Sequence, residues 1–468
     1  MKVPGLLLKI DEKLKKRLDS EQFHYEQLRG MFLPLVLDQL FIFVIGILST
    51  AMVSSSGQEA IAAVNLVLVI GALAYALFSA ISMGVSIVVA RAKGSGDMDR
   101  VRAAIGQACT LIAFFSIVIT VGLYVFSEPL ILSLYGAADP LVIEQAVSYM
   151  EAYSLSLPPY AVFCVIFNSF RSLGDAKSSL ILTIVINVIH LIFSYIFINI
   201  LQLAALGSAL SYLAARGVGM VFALIWLFRV NGHMYMKLKH FVRFDKSIIR
   251  ETMALGVPFS FEQLLFQGGM LLVQRYIAQL TVTELAAHGI AGSMFNLYYA
   301  FSYAVTAITG TVCGQCVGAK RIDLARKYTR EFVLLGRFVM LFAILIIMPV
   351  TPLVMNLYAP APEARATIMI ALAIGALPMP ILWCDGYIIP AATRTAGDAT
   401  FTSVISLLAL FAGRLAFGYL FTITLGLGVA GVWLGQTVEW LLRMIVMRMR
   451  LRTDKWIKVP GIKAQKAL

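Results

Sequence analysis

Four ionisable residues sit inside stretches that are otherwise apolar: Asp38, His190, Glu262 and Asp385. A charge in hydrocarbon is expensive and is kept where it faces water, a partner or a bound ion, so each is a candidate for ion coupling. The imidazole of His190 titrates near neutral pH if solvated and could carry a coupled proton; hydrogen-bonded packing is the competing reading. Glu262 is followed by Gln263, Gln267 and Gln274, with Arg275 one position later. Asp385 stands among Pro378, Pro380 and Pro390, where a bent helix would free backbone carbonyls beside the acid. Oxygen ligands at Glu262 and Asp385 would also suit Na+. Asp38 is about seven residues, or ~10 Å, into its apolar run, where it could equally be a structural hydrogen-bonding acid.

Polar residues also recur at helical spacing. Tyr75, Ser79, Ser82 and Ser86 share one face, and Tyr299, Tyr303 and Thr306 occupy matching positions later in the chain. Ser179, Thr183, Asn187, His190 and Ser194 form a third such face. A water-accessible cavity would use these faces, with Tyr75, Asn187, Gln263, Gln267, Tyr299 and Tyr303 as lining candidates; interhelical hydrogen bonding would use the same pattern without a cavity. Glu439 and Arg443 are spaced for an intrahelical ion pair. The five cysteines lie in apolar runs and suggest no disulfide framework; Cys313 and Cys316 among glycines read as close helix packing rather than metal or redox chemistry.

The elements that must position these residues come in duplicate. At a constant offset of 224 residues, Pro34 to Asp99 returns as Pro258 to Asp323, so that Asp38 corresponds to Glu262 and His190 to Arg414. Arg171-Ser172-Leu173-Gly174-Asp175 returns as Arg394-Thr395-Ala396-Gly397-Asp398, a polar turn expected to lock helix ends. Such a period is far longer than that of a solenoid. The chain is 60% hydrophobic and only 13% charged, with a mean hydropathy of +0.86, which excludes a water-soluble surface. Apolar runs predict an all-α membrane protein of twelve transmembrane helices, near 31–53, 60–90, 103–126, 141–168, 178–200, 204–229, 250–280, 284–316, 331–349, 366–392, 400–421 and 427–449. The net charge of +13 concentrates in alternate loops, so it reads as the positive-inside pattern and contact with anionic lipid, not as a nucleic-acid footprint. Both termini are expected in the cytoplasm of a multi-pass cell-membrane protein. The expected divisions are an amphipathic segment at 1–30, an N-lobe at 31–229, a linker at 230–247, a C-lobe at 248–450 and a basic tail at 451–468, the lobes being parallel repeats around a central cavity. Leu6, Leu7, Leu8, Leu14 and Leu18 are expected to lie against lipid. No cleavable signal, Walker loop, zinc motif or nucleophile elbow is visible, so no enzyme and no cofactor is expected.

The doubled Pro-x-x-x-acid-Gln entry at Pro34 and Pro258, the Ala62-Ala63-Val64 and Ala286-Ala287-His288 segments, Gly94 and Gly318, and the doubled Arg-x-x-Gly-Asp turn together resemble the multidrug and toxic compound extrusion (MATE) family of the MOP flippase superfamily. The resemblance covers about residues 25–450. It implies a secondary antiporter in which H+ or Na+ is exchanged for amphipathic, often cationic, organic compounds by alternating access, with no cofactor and as a monomer.

 A carboxylate in such a carrier binds ion and substrate in turn, and aromatic side chains such as Tyr75, Tyr299 and Tyr303 give a tolerant wall for flat organic molecules. Two departures from the family pattern matter. Many members carry an Asp in helix 1 just before a Thr, where this chain has Ser49 before Thr50, and the Asn and acid that some members use on helix 5 are matched by His190 and Ser194. The resemblance thus implies a dismantled N-lobe cation site and points to acids on helices 7 and 10, for which Glu262 and Asp385 are the nearest matches. Two alternatives stay open: a flippase for a lipid-linked precursor, kept alive by Arg216, Arg275 and Arg414, and a non-transporting membrane receptor or scaffold.

Overall fold

The structure is a computed structural model that describes residues 5–54, 57–136, 139–230, 235–358 and 362–459. Residues 1–4 of the expected amphipathic segment, 231–234 of the linker and 460–468 of the tail lie outside the described residues. In chain order the helices are α1 (Gly5–Leu18), α2 (Tyr25–Ser54), α3 (Gln58–Gly94), α4 (Met98–Val125), α5 (Ser127–Tyr135), α6 (Pro140–Leu155), α7 (Leu157–Ser172), α8 (Ala176–Ser194) and α9 (Ala204–Ile225). They continue with α10 (Lys239–Val242), α11 (Lys246–Ile277), α12 (Val282–Gly318), α13 (Ile322–Tyr358), α14 (Pro362–Ala376), α15 (Met379–Thr395), α16 (Ala399–Ala409) and α17 (Gly428–Arg452). Helices α8, α9 and α16 run on into π-helical turns.

Among the described residues, nine helices are long and apolar enough to cross a membrane, and the bent pairs α6–α7 (45°) and α14–α15 (52°) bring the number to eleven. The twelfth expected span is α11, which has the length, but Glu262, Gln263, Gln267 and Gln274 make its middle too polar to stand in lipid by itself. The bend before α15 falls at Pro378, as the proline cluster predicts. The bend before α7 was not expected. Pro158 and Pro159 follow it and lack the N–H groups that would continue the ladder, so the run read as one helix at 141–168 is two. A short helix, α5, also occupies part of the stretch expected to be loop.

Two compact units divide the chain: Leu40–Leu264, and Met1–Gln39 with Leu265–Leu468. The division falls within α2 and within α11. In the unit Leu40–Leu264, α3 and α11 approach through glycines, for a Cβ added at Gly84 would meet the Thr252 carbonyl and one at Gly256 the Ala80 carbonyl. Ser260 Oγ on α11 donates to the Ala76 carbonyl at 2.7 Å. The serine face of α3 is largely spent on α7: Asn168 Nδ2 donates to Ser82 Oγ at 2.7 Å, and Ser86 and Ser172 share a bond of 2.6 Å. At those two serines the pattern is interhelical bonding and not cavity lining. The segment before α11 is docked on α4, where Thr110 Oγ1 donates to the Phe241 carbonyl at 2.7 Å and Gln107 Oε1 accepts from the Asp245 amide at 3.1 Å.

In the other unit, α1 is seated on α13. Tyr328 donates its hydroxyl to the Leu18 carbonyl at 2.9 Å, and Arg17 pairs with Glu331 at 2.8 Å. Leu18, expected against lipid, is therefore buried on protein, and Leu14 is half-buried. The side chains of Leu6, Leu7 and Leu8 lie outside those described. Cys313 contacts Thr329 on α13 at 3.5 Å, in keeping with a packing role. The doubled polar turns lock helix ends by different means. Gly174 and Gly397 both take positive φ (82° and 97°), which a glycine adopts at little cost. After the first, Asp175 caps α8 through the Ser178 amide; after the second, the buried Asp398 pairs with Arg450 at 2.7 Å and Lys458 at 2.8 Å.

Candidate functional site

The polar interior of the unit Leu40–Leu264 is organised by Arg216 on α9. Its guanidinium donates to Ser156 Oγ at 2.7 Å, at the break between α6 and α7, and to the Tyr153 hydroxyl at 3.4 Å. Three tyrosine rings surround it, with centroids at 4.9 Å (Tyr153), 4.3 Å (Tyr160) and 4.7 Å (Tyr212). His190 stacks on the same Tyr212 ring at 4.3 Å, and its Nε2 lies 3.1 Å from Ser49 Oγ. Tyr75 is 45% exposed and meets Tyr160 at 6.0 Å. Of this cluster the sequence points to Arg216, His190 and Tyr75; Tyr153, Ser156, Tyr160 and Tyr212 are additions of the fold, although Tyr212 shares a helical face with Arg216 and Tyr153 and Tyr160 flank the double proline. Asn187 is half-buried and turns its amide back to the Thr183 carbonyl of its own helix at 2.8 Å.

The corresponding interior of the other unit is built around Glu439 on α17. Arg414 lies 2.7 Å from one carboxylate oxygen and Arg443 lies 3.4 Å from the other, so the expected intrahelical pair forms and is joined by a cation from the π-helical stretch after α16. Tyr387 donates to the same carboxylate at 3.5 Å. An aromatic wall adjoins it: Tyr299 and Tyr303 each meet Trp383 at 5.4 Å, and Trp383 stacks on Tyr387 at 4.7 Å. Gln436 donates to the Tyr299 hydroxyl at 3.2 Å. Tyr299 and Tyr303, predicted from repeat position, are thus together, whereas Trp383 and Tyr387 are additions of the fold.

Of the four candidate acids and bases, Asp38 and Asp385 belong to one unit and His190 and Glu262 to the other. Asp38 is wholly buried; Gln39 donates to its Oδ2 at 3.1 Å, while its Oδ1 has no hydrogen-bond partner among the described residues. Glu262, at the equivalent repeat position, is also buried, with Gln263 and Gln267 half-buried beside it on α11. Asp385 is held by two cations: Arg337 binds it bidentately, Nε donating to Oδ1 at 3.0 Å and Nη2 to Oδ2 at 2.8 Å, and Arg448 closes on its other side. These three residues line a cavity of about 300 Å³ together with Arg330 and Arg452. A carboxylate so surrounded has its charge already neutralised and its lone pairs directed at guanidinium groups, which leaves little for Na+. Among the described residues no group of three His, Cys, Asp or Glu side chains could hold a metal ion.

A doubled bundle of membrane-length helices, with buried charges in each half, is the architecture of a multi-pass membrane transporter. A family profile described as MatE matches residues 34–196 and 258–420, and the chain belongs to this family. The two matched stretches are the two repeats. The chain is 24% identical over 429 residues to "Uncharacterized transporter YisQ" of Bacillus subtilis (strain 168), covering 91% of this chain and 93% of that protein. It is 27% identical to "Multidrug resistance protein MdtK" of Klebsiella pneumoniae (strain 342), over 62% of this chain and 65% of that one. Among solved structures it is similar to an outward-facing multidrug resistance MATE family transporter, with a TM-score of 0.83 at 20% identity, covering 94% of this chain and 98% of the other. Proteins of this family are transporters rather than enzymes and need no cofactor.

Proposed function

We propose that this chain is an ion-coupled antiporter that exports small organic molecules across the cell membrane by alternating access of an N-lobe (31–229) and a C-lobe (248–450), with both termini in the cytoplasm. The observation that carries this reading is the burial of repeat-related acids, Asp38 at 0% exposure and Glu262 at 5%, within membrane-length helices. A carboxylate kept out of water can gain or lose a proton or Na+ with a large change in its surroundings, which is what coupling to a gradient requires. Asp38, with one oxygen unpartnered among the described residues, is better placed for this than Asp385 between its arginines. The multidrug names of the relatives support small organic substrates. The expected preference for cations has less support, because among the described residues Arg216 forms no ion pair. Everted membrane vesicles loaded with the chain test the reading: dye movement should follow an imposed pH or Na+ gradient, and a lack of response to both would count against antiport.

A further inference from the structure

Arg216 differs from the other buried arginines of this protein. Arg414 and Arg443 share Glu439, and two half-buried arginines are matched as well, Arg450 by Asp398 and Arg91 by Glu251 at 2.8 Å. Arg216 is 8% exposed, yet among the described residues it forms no ion pair. Its hydrogen-bond partners are two neutral hydroxyls, and the three tyrosine rings offer only cation–π attraction. Each of those contacts recovers only a fraction of what withdrawing an unpaired charge from water costs. A guanidinium cannot escape by losing its proton. Among the described residues His190, 5% exposed and stacked on the same Tyr212 ring, also leaves its Nδ1 without a hydrogen-bond partner.

We infer that the Arg216 cradle is a binding site for the anionic group, carboxylate or phosphate, of a transported molecule. The planar fork of donors on Arg216 matches the two oxygens of either group, and the bound anion supplies the charge that the protein withholds. Tyr160 and Tyr212 are half-buried and Tyr75 is exposed, so an aromatic ledge leads from the surface of the unit to the guanidinium. That ledge suits a flat or extended apolar body attached to the anion. The inference rests on the transporter reading and specifies the charge of its substrate. The anion has two sources, a water-soluble organic acid or a lipid-linked phosphate.

The test is equilibrium binding to the purified full chain in detergent, using carboxyfluorescein, the cationic dye rhodamine 6G on the same xanthene body, and a short-chain polyprenyl phosphate. The parent should bind at least one of the two anions more tightly than the cation. Arg216→Gln should weaken that anion about tenfold or more, the worth of a charge-assisted bidentate contact, and leave the cation unweakened. Arg216→Lys, which restores charge without the fork, should fall between. Binding of carboxyfluorescein supports a soluble source and binding of the polyprenyl phosphate a membrane source. Comparison of the dyes on the parent needs no variant, so a failure of Arg216→Gln to fold leaves the test intact. The inference is overturned if the parent prefers the cation to both anions, or if a folded Arg216→Gln chain binds the anions as the parent does. Anion binding without gradient-driven flux would count against antiport alone; flux of the cation without anion binding would count against the cradle alone.

Discussion

Arg414 Nε lies 2.7 Å from Glu439 Oε2, with the glutamate wholly buried and the arginine nearly so. The pair ties the π-helical stretch after α16 to α17, and Gly413 beside it allows the approach, since a Cβ there would strike the Glu439 backbone. Glu439→Gln removes the carboxylate charge that Arg414 and Arg443 both face, and removal of one partner of such a pair costs about 3–5 kcal/mol. Thermal unfolding in detergent should show a large loss for Glu439→Gln and a smaller one for Arg414→Gln, because Arg443 still faces the carboxylate. Equal stability of all three chains would show that the pair is not formed.

Asp385 should behave as a structural residue. Its arginines are partly exposed, at 28% for Arg337 and 37% for Arg448, so solvent softens the loss and Asp385→Asn should cost about 1–3 kcal/mol. Its dye flux, measured in proteoliposomes, should keep the gradient dependence of the parent. A stable Asp385→Asn chain that has lost its response to one ion would return the acid to the coupling machinery.

The crossing of α3 and α11 leaves no room for a methyl group at either glycine. Gly256→Ala and Gly84→Ala should each destabilise by about 1–3 kcal/mol through forced separation of the helices. Gly122→Ala, where a Cβ would meet open space, is the control and should be neutral or slightly stabilising by unfolding temperature.

The segment docked on α4 should loosen in acid. Burial, followed by the nearby Lys239 and Arg102, pushes the His240 imidazole below its ordinary value of 6.5. Its Nδ1 also accepts the Lys237 amide at 3.0 Å, a bond that protonation removes. Because the folded value is depressed, the contribution is present above pH 6.5 and is lost as pH falls through the folded value. Hydrogen exchange of residues 235–245 should quicken over that range in the parent and change less in His240→Gln.

Much of this architecture is legible in the sequence because duplication leaves a fixed offset, and because helices buried in lipid must be apolar along their length. Asp38 and Glu262, Gly174 and Gly397, and Tyr299 beside Tyr303 follow from those two facts. Glu439 with Arg443 follows from helical spacing. What the sequence hides is pairing at long range. Arg337 and Arg448 lie far from Asp385 along the chain, and no periodicity links them, so the acid reads as an ion site until its partners are seen. The Ser82 and Ser86 face was ambiguous for a related reason: a serine stripe has the same spacing whether it meets water or another helix. The break at Pro158 was written in the chain and is the one local signal that a hydropathy reading smooths over.

The central claim, ion-coupled export through buried acids, is tested most directly by dye efflux from proteoliposomes under separately imposed pH and Na+ gradients, for the parent, Asp38→Asn and Glu262→Gln. The account predicts parental flux that follows at least one gradient, and flux slowed about tenfold or more in the folded variants, the effect of losing a group that must bind the driving ion. Undiminished flux in both variants, or parental flux that ignores both gradients, would contradict it.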